Sequence, residues 1–72
     1  MLTDKILSMQ SRCGNWVFFE DNNDIIYYSL VSRVGKTLRK GQISISKDGF
    51  TDYLIELGFE HANAADFARA RQ

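Results

Sequence analysis

The chain has no proline, one cysteine, one histidine and no net charge. A single cysteine excludes an intramolecular disulfide, and one histidine with one cysteine cannot build a four-ligand zinc site without carboxylates. No metal or cofactor is therefore expected. No stretch approaches the roughly 20 apolar residues needed to span a bilayer. The opening "MLTDKILSMQSRCG" lacks the basic start and continuous apolar run of a signal peptide. The lone Cys13 suits a reducing compartment, so a cytoplasmic location is expected. No internal repeat or low-complexity tract is evident. With 72 residues, one domain (1–72) is the sensible count. A domain of this size buries only about 60% of its unfolded surface. Its stability is then of the order of 3–5 kcal/mol, and with disulfide and metal set aside, an oligomer or a partner is the supplement left open.

Charge is absent in net but not in pattern. From Ile25 to Lys47 there are five cations and no anion, and from Asp48 to Asp66 five anions and no cation. Four of the cations, Arg33, Lys36, Arg39 and Lys40, lie within "SRVGKTLRKG". Its Gly35-Lys36-Thr37 looks like the end of a phosphate-binding loop, but the glycine required five residues earlier is Leu30, and no helix can follow "LRKG". Nucleotide hydrolysis is excluded on that ground. Catalysis in general has little to draw on: His61 is the only imidazole, and no local spacing joins a nucleophile, a base and an orienting group. The expectation is a binding protein, not an enzyme.

The segment 2–13 carries apolar residues at Leu2, Ile6, Met9 and Cys13, a helical spacing, with Thr3 as cap and Gly14 just past the end. It predicts an N-terminal helix with Cys13 facing inward as a slow, buried thiol. "NWVFFEDNNDIIYYSLVS" predicts two strands around an Asp-Asn-Asn-Asp turn, and "QISIS" a third with Ile43 and Ile45 on one face. A helical stripe through Ile26, Tyr27, Leu30, Val31, Val34 and Leu38, capped by Asp24, competes with the second strand and its loop. Ser46 caps a helix to about Leu57 that buries Phe50, Tyr53, Leu54 and Leu57, with a Gly58-Phe59 ending. Asn63 and Asp66 open a short last helix. The expected fold is α+β: an N-terminal helix, a three-stranded antiparallel sheet and two short C-terminal helices forming a hairpin over it.

The sheet is apolar on both faces. Trp16 and Phe18 point one way, Val17 and Phe19 the other; Ile25 and Tyr27 oppose Ile26 and Tyr28. Either helices cover both faces or an aromatic patch is left for a partner. The candidate partner-binding residues are Trp16, Phe18, Tyr28, Arg33, Lys36, Arg39 and Lys40. They suit a small regulatory or inhibitory protein that docks on a macromolecule through an aromatic sheet face and a basic loop, with a protein or a second copy of the chain as partner. The alternative is a nucleic-acid-binding regulator that uses 33–47, or the C-terminal helical pair with His61, Asn63, Arg69 and Arg71, against which zero net charge and an acidic stripe at Asp52, Glu56 and Glu60 weigh.

Overall fold

A computed structural model describes residues 6–70. The chain forms β1 (Ile6–Gln10), β2 (Trp16–Asn22), β3 (Ile25–Val31), β4 (Thr37–Ser44), α1 (Lys47–Glu56), β5 (Glu60–His61) and α2 (Ala64–Ala70). The strands make one antiparallel sheet in the order β4-β3-β2-β1-β5. The expected N-terminal helix and three-stranded sheet are thus corrected to five strands with two short helices. Leu2 and Thr3, the start and cap of that helix, lie outside the described residues.

Why β1 is a strand follows from β2. With Trp16, Val17 and Phe19 all buried, β2 is apolar on both faces and needs a neighbour on each edge. β3 supplies one and β1 the other, in the register Leu7 opposite Phe19 and Met9 opposite Val17. That register places Met9 wholly out of solvent. The turn between β2 and β3 is the expected one. Asn23 and Asp24 both take left-handed backbone (φ 56° and 65°), the two-residue hairpin geometry that matches strand twist. The competing helix over 24–38 is excluded by the β3–β4 ladder, which runs from Ile25–Ser44 to Val31–Thr37 with a bulge at Leu30/Val31.

α1 has the predicted caps. Ser46 Oγ accepts from the Gly49 amide at 3.1 Å. At the other end Gly58 (φ 100°) lets its own amide reach the Ile55 carbonyl and that of Phe59 the Leu54 carbonyl, at 3.0 and 2.9 Å, a Schellman ending. Its buried side is narrower than predicted: Phe50 and Leu54 are buried, whereas Tyr53 and Leu57 are more than half exposed. Phe50 and Leu54 press onto Met9, Val17, Phe19 and Ile26, and the Phe50 ring meets Phe19 edge-on at 4.9 Å.

The two helices do not form a hairpin. Between them β5 pairs with β1, Met9 opposite His61, and the Ala62 amide donates to the Ser8 carbonyl while Ser8 Oγ donates to the Ala62 carbonyl. The chain therefore crosses the sheet edge, and α2 lands on the opposite face. There Phe67 meets Trp16 and Phe18 edge-on at 5.5 and 5.2 Å. Asn63 begins α2, its Oδ1 accepting from the Ala65 amide at 2.8 Å. The result is three layers, α1 over one face and α2 over the other.

The loops carry a short repeat. Ser11–Asn15 and Ser32–Lys36 close with the same bonds. In each, the serine amide donates to the carbonyl four residues on (2.8 Å in both). The serine carbonyl accepts from the glycine amide (3.0 and 2.9 Å), and the serine Oγ accepts from the last amide (3.1 Å in both). Gly14 and Gly35 take matching left-handed backbone, φ 93° and 90°. The sequence behind this is Ser8-Met9-x-Ser11-Arg12-x-Gly14 against Ser29-Leu30-x-Ser32-Arg33-x-Gly35. The two loops are side by side, for a Cβ on Gly14 would come within 3.0 Å of Arg33 Cβ.

Candidate functional site: the groove beside strand β4

Among the described residues β4 is a free edge of the sheet, and all eight of its residues are exposed. Its sequence, Thr-Leu-Arg-Lys-Gly-Gln-Ile-Ser, does not advertise a strand. An edge strand tolerates cations, which discourage unwanted pairing. Gly41 is tolerated because the Tyr28 ring lies over it: a Cβ there would stand 2.9 Å from the Tyr28 hydroxyl. The stretch read as a basic loop is thus mostly strand. Only Ser32–Lys36 form the turn, and Arg39 and Lys40 belong to the ladder.

The Ile45 amide donates to the Asp24 carbonyl at 3.0 Å. Antiparallel ladders alternate inward- and outward-facing backbone pairs. Counting from that bond, Lys40, Gln42 and Ser44 direct their N–H and C=O groups away from β3, with no strand among the described residues to receive them.

Beside this edge, on the α1 face, lies a groove of about 430 Å³. Tyr28, Leu30 and Ile43 line it from the sheet, Tyr53 from α1 and Leu57 from its C-terminal cap, and Arg39 brings the one charge. Ile43, Tyr53 and Leu57 are 44–57% exposed. The groove exists because α1 buries only Phe50 and Leu54, so the helix flank facing β4 has nothing to pack on. α1 also carries Asp48, Asp52 and Glu56, all exposed. The acidic segment therefore follows directly on the end of the basic strand.

The residues singled out from sequence are scattered. Trp16 is 2% exposed, stacked on Phe18 at 5.8 Å and roofed by Phe67, so it serves the second core. Phe18 is half-buried in the same cluster. Tyr28 faces the opposite side, in the groove. Arg33 and Lys36 are exposed on the β3–β4 turn; Arg39 shares the groove face, and Lys40, its neighbour in the strand, points to the other. The structure thus joins Tyr28 with Arg39 and separates both from Trp16 and Phe18. Sequence reasoning missed Leu30, Ile43, Tyr53 and Leu57 as site residues. The available signal was the surplus of apolar residues on α1, which exceeds what one narrow helix face can bury. His61 lies exposed on β5, Asn63 caps α2, and Arg69 pairs with Asp66; Arg71 lies outside the described residues. Among the described residues no group of His, Cys, Asp and Glu is arranged to hold a metal ion, and no helix is long and apolar enough to cross a membrane.

Cys13 corrects another expectation. It is exposed in the first loop, not buried on a helix. The Ser11 hydroxyl, 3.4 Å from Sγ, holds the thiol below its ordinary pKa; the backbone of the loop at Asn15 and the positive charge of Arg33 add to the effect. In thiol titration, the folded protein is expected to react at least as fast as the denatured chain, with its pH profile shifted down. Ser11→Ala should move that profile back up. A folded-state rate many times slower than the denatured one would mean that the loop shields the sulfur.

Comparison of the chain with protein-family models, with curated proteins and with solved structures gave no match.

Proposed function

We propose that this protein is a small, non-enzymatic regulatory or inhibitory docking module that captures an extended segment of a partner protein along β4. The observation that carries this is the apolar groove lying directly beside an unpaired strand edge. An added strand would take its backbone bonds from Lys40, Gln42 and Ser44, while every second side chain dropped toward the groove, the mode in which main-chain bonds give affinity and pockets give specificity. Arg39 and Lys40 favour an acidic segment with apolar residues at alternate positions. A cytoplasmic setting suits the exposed free thiol of Cys13.

A nucleic-acid strand has less support. Arg39 and Lys40 face opposite sides of the sheet, and the Trp16 and Phe18 rings are engaged by Phe67, so cations and stacking surfaces do not coincide.

The test is an amide-resolved NMR titration with a synthetic peptide of alternating valine and glutamate. Shifts are expected along β4 and at Tyr53 and Leu57. Gln42→Pro, which removes an outward N–H at an edge where proline is tolerated, should abolish them. Saturable shifts with a single-stranded oligonucleotide, centred on Arg33 and Lys36 and steeply salt-dependent, with none from the peptide, would replace this proposal with the nucleic-acid one.

A further inference from the structure

Resting on the β4 docking mode just described, we infer that one occupant of this edge is a second copy of the chain, paired antiparallel with β4 about a two-fold axis near Gly41.

The charge order of the chain is what singles out a copy of itself. β4 is basic in its first half (Arg39, Lys40, preceded by Lys36), and past its end, after the single cation Lys47, the first turns of α1 carry the acids Asp48 and Asp52. A two-fold antiparallel pairing sets the start of one β4 beside the end of the other. It therefore carries Arg39, the cation on the α1 face, toward its partner's acidic helix start, twice over, while Lys40 adds its charge from the other face. Both proteins have zero net charge, so no long-range repulsion opposes the encounter.

The backbone limits the register. Lys40, Gln42 and Ser44 hold the outward groups, so hydrogen-bonded pairs must form among these residues. Centring on Lys40 would oppose two like charges, which disfavours that register. Centring on Gly41 sets Lys40 opposite the partner's Gln42 and Arg39 opposite the partner's Ile43. It also places the two glycines at the axis, where the absence of side chains leaves room for both Tyr28 rings, each already lying over its own Gly41.

The pairing treats the apolar surface as well. A two-fold axis perpendicular to the sheet keeps both α1 helices on the same side, so the two grooves become neighbours across the new seam. Ile43 and Tyr53, exposed in the single chain, would then be covered by the partner's Arg39 stem and Tyr28 ring. The outcome is one continuous sheet of ten strands with the short β5 at each end. Both long edges of the monomers disappear, the symmetric closure typical of isologous dimers.

Sedimentation equilibrium of the full chain from micromolar to millimolar protein tests this. A reversible monomer–dimer equilibrium is expected, weakened by added salt. Gln42→Pro should be monomeric with an unchanged far-ultraviolet spectrum. Arg39→Glu with Lys40→Glu, and separately Asp48→Lys with Asp52→Lys, should each weaken self-association by about tenfold or more. Mixing these two charge-reversed proteins should restore association as a heterodimer, a result that does not depend on the proline variant folding. A wild-type chain that stays monomeric to millimolar concentration overturns the inference, as does a dimer that survives Gln42→Pro or charge reversal unchanged. A monomer that still binds the valine–glutamate peptide at β4 removes only the self-pairing. A monomer that does not bind it removes the docking mode too.

Discussion

Phe50→Ala is expected to leave the protein largely unfolded at room temperature. Phe50 is 5% exposed and sits where α1 meets the sheet, edge-on to Phe19 at 4.9 Å and tilted against Tyr28 at 5.8 Å. α1 buries only one other side chain, Leu54. Truncating a buried phenylalanine costs about 3–5 kcal/mol, and a domain of this size has a total margin of about the same size. The helix has no second anchor large enough to compensate, so the loss should propagate to Met9, Val17 and Ile26 beneath it. Urea titration followed by circular dichroism measures the effect. A loss under about 1 kcal/mol, small against the cavity cost of a core phenylalanine, would mean that α1 rides on the sheet without securing it.

Phe67→Ala should act on the other face and in a different manner. Phe67 is half-buried, and its ring touches both Trp16 and Phe18. Removing it forfeits apolar burial and two edge-on ring contacts, together about 2–3 kcal/mol. α2 has seven residues, too few to persist as an isolated helix in water, so it should detach and melt while the sheet and α1 remain. The melting temperature of so small a domain falls roughly 4–8 °C for each kcal/mol lost, which gives a drop of about 10–20 °C. Trp16 is the only tryptophan, so its emission should shift to the red in the folded variant. An unshifted emission maximum would show that another part of the chain shields the indole.

How much of this was legible in the sequence depended on local chemistry. The β2–β3 hairpin was readable because its strands are β-branched and aromatic and its turn residues accept left-handed backbone. The ends of α1 were readable for the same reason: Ser46 and Gly58 each do a specific job at one position. The opposed faces of Trp16/Phe18 and Val17/Phe19 also emerged as expected, since side-chain alternation is a property of any strand. β1 was not readable. In Ile6–Gln10 the apolar residues at 6, 7 and 9 fit a helical or an alternating period equally, and only the demand of β2 for a second neighbour decides between them. The first half of β4 failed for the opposite reason. Its cations and glycine resemble a loop, and what makes them a strand is pairing to β3 and the Tyr28 ring, both distant in sequence. β5, with two residues, is defined by its pairing alone. The groove could not be foreseen at all, because it is a gap between α1 and a strand edge that had not been recognised as one.

The twin Ser-Arg-x-Gly loops give the sheet a direction of growth. β1–β2 and β3–β4 are hairpins closed by the same loop, displaced by two strands and differing by the bulge at Leu30/Val31, and in the first the outer edge of the second strand is occupied by the start of the next hairpin. In the second copy that position is vacant. The meander is thus a two-unit array, terminated by β5 at one end and left unterminated at the other, and linear arrays of this kind depend on their end units for solubility. Seen this way, β4 is the second strand of a hairpin, the place β2 holds in the first, but stands last in line. A third hairpin fused after it, carrying the same Ser-Arg-x-Gly loop, would meet an edge of the kind β2 already offers to β3.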